Sequence, residues 1–257
     1  MGASQARSAG CCHSAVRSPA GVVAALAAKT FGLSIVRTSG GALRSQPALC
    51  RELVDVARPS YQDPTAILSR EIADCSRVYL GLDSFGAVSC FYLTGWRPLR
   101  VGQEVMPAVH LGLSVTRQVT KNTGQIAALY HACLDDTRRW EAQHGRSLVL
   151  WCTTASPTVF LVYSQFLRNT EPRVDGTFTE RGAGIARAIR ADLGVDPDEG
   201  ATHPFVVPNI ATDTLYSDAE RRRVERVIRK KRFTVFRDLG VDETRHDRLI
   251  LHASTPT

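Results

Sequence analysis

Residues 125–144 read QIAALYHACLDDTRRWEAQH, and this stretch limits the fold more than any other part of the chain. Ile126, Leu129, Tyr130, Cys133, Leu134 and Trp140 recur at spacings of three and four, while Arg138, Arg139 and Glu141 fall off that stripe. That period makes a helix with one apolar face, about 30 Å long at about 1.5 Å per residue. Gly145 is the residue type that ends a helix in the left-handed conformation. Residues 148–153, LVLWCT, are then apolar at nearly every position, the pattern of a strand covered on both faces. A long one-faced helix feeding a doubly covered strand needs a sheet to pack on, which predicts an α/β chain.

The flanking sequence predicts more of the same. Residues 31–37 alternate as a first strand, and Ser45-Gln-Pro47 starts a helix with Leu49, Leu53, Val54 and Ala57 on one face. Asp63-Pro64 is an N-cap followed by proline at the first helical position, ahead of Ile67, Leu68 and Ile72. Val78, Leu80 and Leu82 alternate, the turn at 83–86 follows, and 87–93 returns as a partner strand; 108–115 is a further strand. After the strand at 148–153, Ser156-Pro157 opens a helix over 158–167, although its run TVFLVY has strand propensity. Beyond Arg168 the chain is more polar, with a short helix at 185–193 and short strands at 205–207, 233–236 and 248–252. A helix over 216–232, started by Ser217-Asp218, turns Val224, Val227 and Ile228 inward.

Charge is concentrated rather than spread. The chain of 257 residues carries a formal +7, and residues 221–232, RRRVERVIRKKR, hold eight basic residues and one glutamate. That segment alone equals the net charge of the whole, so any acidic partner or nucleic acid would meet it there, at Arg221–Arg232. Without aromatic residues among the cations, stacking on single-stranded bases is not indicated. Seven cysteines without a C-x-x-C pair, three of them (Cys90, Cys133, Cys152) in apolar runs, suit a reducing compartment. The histidines show no metal-ligand spacing, so no metal site is expected. No run reaches the roughly 20 apolar residues of a membrane helix. Residues 1–29 lack any acidic residue and read as a disordered leader, with an organelle transit peptide as the alternative to a cytoplasmic chain.

The order of strand, polar glycine loop, amphipathic helix, buried strand and Ser-Pro helix with a tyrosine resembles the GNAT superfamily of acyl-CoA-dependent N-acyltransferases, over about residues 31–167. The family carries Q/R-x-x-G-x-G/A between a strand and a helix, where loop amides at the helix N-terminus hold the coenzyme A pyrophosphate. Two stretches are similar to it. Arg181-Gly-Ala-Gly184-Ile-Ala186 matches letter for letter but follows a poor strand and opens a short helix. Lys121-Asn-Thr-Gly124-Gln-Ile126 departs at its first and last positions, yet it follows an apolar strand and opens the longest helix, and context places the cofactor loop there. Ser156-Pro-Thr-Val-Phe-Leu-Val-Tyr163 resembles the family's N-x-x-A-x-x-F-Y helix, with Ser156 at the Asn position and Tyr163 at the Tyr.

The resemblance implies a mixed, mostly antiparallel sheet flanked by helices, an α/β (α+β) acyltransferase-like core over 30–168, and a C-terminal extension at 169–257 packed on it. It implies acetyl-CoA or another acyl-CoA as co-substrate, held by Lys121, Asn122, Thr123, Gly124, Gln125, Ile126 and Ser156. Direct transfer to an amine acceptor would follow, with Tyr163 protonating the departing thiolate. The strand ending at Val115 would splay from the one at 148–153, and an amide near Leu113–Val115 would polarise the thioester carbonyl. His110 or Glu104, beside that strand, would take the amine's proton. The alternative is a non-catalytic protein of the same scaffold that uses the basic helix at 218–232 to bind an acidic partner or nucleic acid. No G-x-S-x-G elbow, Walker A loop or G-x-G-x-x-G occurs to suggest hydrolase or nucleotide-fold chemistry.

Overall fold

The computed structural model describes residues 33–121, 123–196, 203–211 and 215–255. The leader at 1–29 and Asn122 therefore lie outside the described residues. In chain order the elements are β1 (Ser34–Ser39), α1 (Gly40–Arg44), α2 (Pro47–Ala57), α3 (Pro64–Asp74), β2 (Arg77–Leu82), β3 (Val88–Val101), β4 (Glu104–Thr116), α4 (Gln125–His144), β5 (Val149–Thr154) and α5 (Pro157–Phe166). There follow β6 (Arg168–Glu171), α6 (Glu180–Asp192), β7 (Val206–Val207), α7 (Asp218–Lys231), α8 (Val235–Asp238) and β8 (Arg248–Ser254). The strands form one sheet in the order β1-β2-β3-β4-β5-β8-β6, with β7 on β8. Every pairing is antiparallel except β4 with β5, so the sheet is mixed and mostly antiparallel, as the resemblance implies.

Strand alternation divides the core in two. Val78, Leu80, Phe91 and Leu93 point towards α2 and α3, whereas Tyr79, Cys90 and Tyr92 point towards α4. In β4 the alternation breaks: Leu111 belongs to the α4 side and Leu113, two residues on, to the α3 side. A bulge explains this, because Tyr92 faces Ser114 while Thr94 faces Leu111, leaving one extra residue in β4.

Several sequence expectations need correction. The hairpin of β3 and β4 runs far past 87–93 and 108–115, to the turn beyond Val101. Pro98 faces Pro107 there, in the part of the hairpin that projects beyond the ends of β2 and β5, so neither proline removes a donor from a third strand. The short helix α1 was not expected, and α6 begins at Glu180 rather than Ile185. Residues 233–236 are not a strand: they lead into the single turn of α8 and pack Phe233 and Phe236 together on Phe160, at 5.3 and 6.1 Å between ring centres. A strand would have sent residues three apart to opposite faces. In α7 no residue is fully buried and Ile228 is exposed, so of the three residues expected to face inward only Val224 and Val227 are partly covered.

Candidate active site

β4 and β5 are hydrogen-bonded neighbours only at Ala108–Val149, Val109–Leu150 and His110–Trp151. Beyond that point β4 continues to Thr116 and β5 to Thr154 without pairing, so the sheet forks in its middle. A cavity of about 470 Å³ opens at the fork, lined by Leu111–Leu113 of β4, Thr153 and Thr154 of β5, and Glu71 of α3. Past the ends of the two strands lies a groove of about 730 Å³. It is bounded by Gln118 and Lys121 after β4, by Leu161, Val162 and Gln165 of α5, and by Arg226, Lys230 and Lys231 of α7. The segment before α7 crosses the fork: Tyr216 pairs with Tyr61 across a β-bridge, and the Ser217 hydroxyl donates to the Pro59 carbonyl at 2.8 Å.

The residues singled out by sequence are distributed as follows. Gly124 adopts φ +83° and stands as N-cap of α4, a left-handed position that disfavours a side chain. Lys121 reaches the groove, where its ammonium donates to Glu220 at 2.7 Å and to Ser60 at 3.1 Å. Thr123 is exposed and its hydroxyl donates to the Thr120 carbonyl. Gln125 turns inward, accepting from the Ser89 hydroxyl at 2.6 Å, and Ile126 is half-buried against the α4 core. Ser156 caps α5 by accepting from the Val159 amide. Val115 is buried on the α3 side. Arg181–Ala186 lies within α6 rather than in a loop, and a Cβ on Gly182 would strike the Glu171 carboxylate.

Tyr163 is buried on the α4 side of the sheet. Its hydroxyl stands 3.1 Å from that of Tyr92, and the Tyr130 hydroxyl beside it pairs with Ser114 of β4 at 2.7 Å. Burial pushes the Tyr163 phenol well above its ordinary range, so it keeps its proton. His110 lines the fork cavity, stacked on Trp151 at 4.2 Å between ring centres. Burial, then the charges of Arg97 and Arg70, drive its pKa down to about 3. Glu104 sits at the hairpin turn opposite Val101, exposed and six residues of extended strand from His110.

Sequence reasoning missed Glu71. Its carboxylate lies against the β4 bulge and accepts from the Leu113 amide; a Cβ on Gly112 would come within 2.9 Å of Oε2. Burial raises its pKa above the ordinary carboxylate range, and Arg70 and the Leu113 amide only partly oppose this. No sequence signal marks it, because its neighbours Ile67, Leu68 and Ile72 define the buried face of α3 and Glu71 reads as the polar edge.

No protein-family model matches the sequence, and no curated protein matches it. Solved structures align with parts of the chain. The AtaTR complex bound with acetyl-CoA aligns with a TM-score of 0.40 and 14% identity, over 60% of this chain and 90% of that one. The GNAT family N-acetyltransferase YhbS from Escherichia coli, in complex with CoA, aligns with a TM-score of 0.39 and 14% identity, over 52% of this chain and 68% of that one. A variant of the AtaT toxin bound to the C-terminus of the antitoxin AtaR aligns with a TM-score of 0.33 and 15% identity, over 38% of this chain. This chain spans 61% of the length of that toxin.

Proposed function

We propose that this chain is an acyl-CoA-dependent N-acyltransferase that passes an acyl group, acetyl in the simplest case, directly to an amine. The observation that carries the proposal is the fork between β4 and β5, with an ionisable cavity at its opening and a cationic groove past its strand ends. An acyl-CoA is long, with phosphates at one end and a thioester at the other. The groove offers phosphates Lys121, Arg226, Lys230 and Lys231, and it offers apolar atoms the Leu161 and Val162 side of α5. The fork offers the thioester unpaired strand edge, where β4 amides are not used by β5. The loop over 121–126, capped by Gly124, supports a phosphate contact at the start of α4. Tyr163, held as the neutral phenol, is the proton donor we assign to the leaving thiolate.

Saturable thermal stabilisation by acetyl-CoA, together with thiol release when amines are added, tests this reading. A chain that acetyl-CoA does not stabilise, and that releases no thiol with any amine, is not an acyltransferase. One observation favours the second reading, a binding protein without catalysis: Arg222 and Arg229 of α7 are exposed and do not line the groove. Salt-sensitive binding of nucleic acid, with no response to acetyl-CoA, would establish it. Among the described residues no helix is long and apolar enough to cross a membrane. With Cys50, Cys75, Cys90, Cys133 and Cys152 all free, we place the protein in the reducing cytoplasm.

A further inference from the structure

We infer that Glu71, and not His110 or Glu104, is the residue that takes the proton from the amine, and that the fork cavity around it is the acceptor site for a small primary amine. The inference rests on the acyl-transfer reading and deepens it. Glu71 reaches the fork cavity from α3, whereas Tyr163 is buried on the opposite face of the sheet. Gly112 makes the approach possible, since its missing side chain leaves the space that Oε2 occupies beside the β4 backbone. The Leu113 amide orients the carboxylate, and Arg70 pairs with it at 3.7 Å. The side chain keeps 19% exposure, directed into a cavity whose volume suits a small molecule or a single extended side chain rather than a folded surface.

The charged and titratable groups around Glu71 leave it as the proton acceptor. From its own helix Arg70 lowers its proton affinity and Asp74 raises it, burial being the larger effect. Arg97 of β3 is tied to Asp192 at 2.6 Å. Tyr61 and Tyr216 are held neutral by burial, and Arg248 lies over the Tyr216 ring at 5.9 Å. His110, neutral down to about pH 3, is too weak a base to hold a proton from an ammonium. Glu71 removes one proton from the ammonium, and the freed nitrogen pair bonds to the thioester carbonyl carbon. The carbon–sulfur pair departs on sulfur, which takes the Tyr163 hydroxyl proton; the second nitrogen proton restores that hydroxyl, and Glu71 returns its proton to water at the cavity mouth.

The test compares wild type with Glu71→Gln and Glu71→Asp in a thiol-release assay over pH, using acetyl-CoA and a panel of small primary amines. Gln keeps an acceptor for the Leu113 amide but cannot take a proton. Its kcat/KM should fall by about 100-fold or more and lose the rising limb, while acetyl-CoA still stabilises it against heat. Asp should retain the limb at a reduced rate. A folded-state pKa raised above the unfolded value means stability is lost as pH rises through it. Glu71→Gln should therefore melt above wild type near neutral pH and level with it in acid. If Gln keeps the limb and the rate, or shows no such pH-dependent gain in stability, Glu71 is not the base. If wild type itself neither responds to acetyl-CoA nor releases thiol, the acyl-transfer reading falls and takes this inference with it.

Discussion

The fork cavity and the α7 groove meet the same pair of strands or their continuations, yet they are built in opposite ways. Around the cavity, burial displaces the proton affinities of individual groups: Glu71 upward, His110 down to about 3. Around the groove the cations Arg226, Lys230 and Lys231 are exposed, on a helix with no fully buried residue. Burial concentrates chemistry in single atoms, so one substitution in the cavity should remove a function outright. Exposure spreads it over many charges, so the groove should weaken by degrees and respond to salt.

The largest expected effect is at neither the cavity nor the groove cations but at Gly124, the N-cap of α4. Gly124→Glu sets a carboxylate and a side chain where phosphate is proposed to bind, and should abolish acetyl-CoA binding in a thermal-shift titration. Gly124→Ala carries only the left-handed backbone cost, about 1–2 kcal/mol, and should bind within a few-fold. Loss of binding in both would mean that backbone strain, not charge, is responsible.

Next comes the triple change Arg226→Gln, Lys230→Gln and Lys231→Gln. Surface charges in such numbers should weaken acetyl-CoA by about 10–100-fold and flatten its dependence on salt, with the melting temperature nearly unchanged. The equivalent change at Arg222 and Arg229, outside the groove, should leave Kd alone. If those two matter more for an acidic macromolecule than the groove cations do for acetyl-CoA, the binding-protein reading gains.

Tyr163→Phe removes a buried hydroxyl from the Tyr92 pair. Turnover should fall about 10–100-fold with acetyl-CoA affinity retained, the lower end of acid catalysis. Stability should fall by about 1–3 kcal/mol, because the Tyr92 hydroxyl loses its partner. Unchanged turnover would make Tyr163 a packing residue.

The smallest effect concerns stability in acid. His110 binds its proton less readily folded than unfolded, so the unfolded chain takes up the proton first as pH falls from about 6.5 towards 3. The stability contributed by the neutral ring is present above that window and lost within it. His110→Phe should therefore show a shallower decline of Tm between about pH 7 and pH 4 than wild type, as thermal melts in matched buffers would reveal.

Much of this comparison was legible before any coordinates. The 3.6-residue period of 125–144, its Gly145 stop, the Asp63-Pro64 and Ser156-Pro157 helix starts and the alternation of 78–82 are local signals, and each is realised where expected. They depend on backbone propensity and on one buried face, which neighbours in sequence suffice to specify. Letters alone do not decide at 181–186, because glycine in a short pattern does not say whether it serves a phosphate loop or close packing; Gly182 lies in α6 against Glu171.

Other features depend on partners far away in sequence. Glu71 reaches the fork because a bulge in β4, some forty residues on, turns Leu113 towards α3 and leaves Gly112 open beside it. The basic run at 221–232 lines a groove because the segment before it bridges to Tyr61 and sets α7 against α5. β8, almost the last segment of the chain, lies between β5 and β6. The sequence determines which elements form, since short-range period and capping set the sign of each local choice. Which ionisable groups meet, and how far from water they stand, belongs to the tertiary structure, because proximity and burial are created only when strands distant in the chain pair.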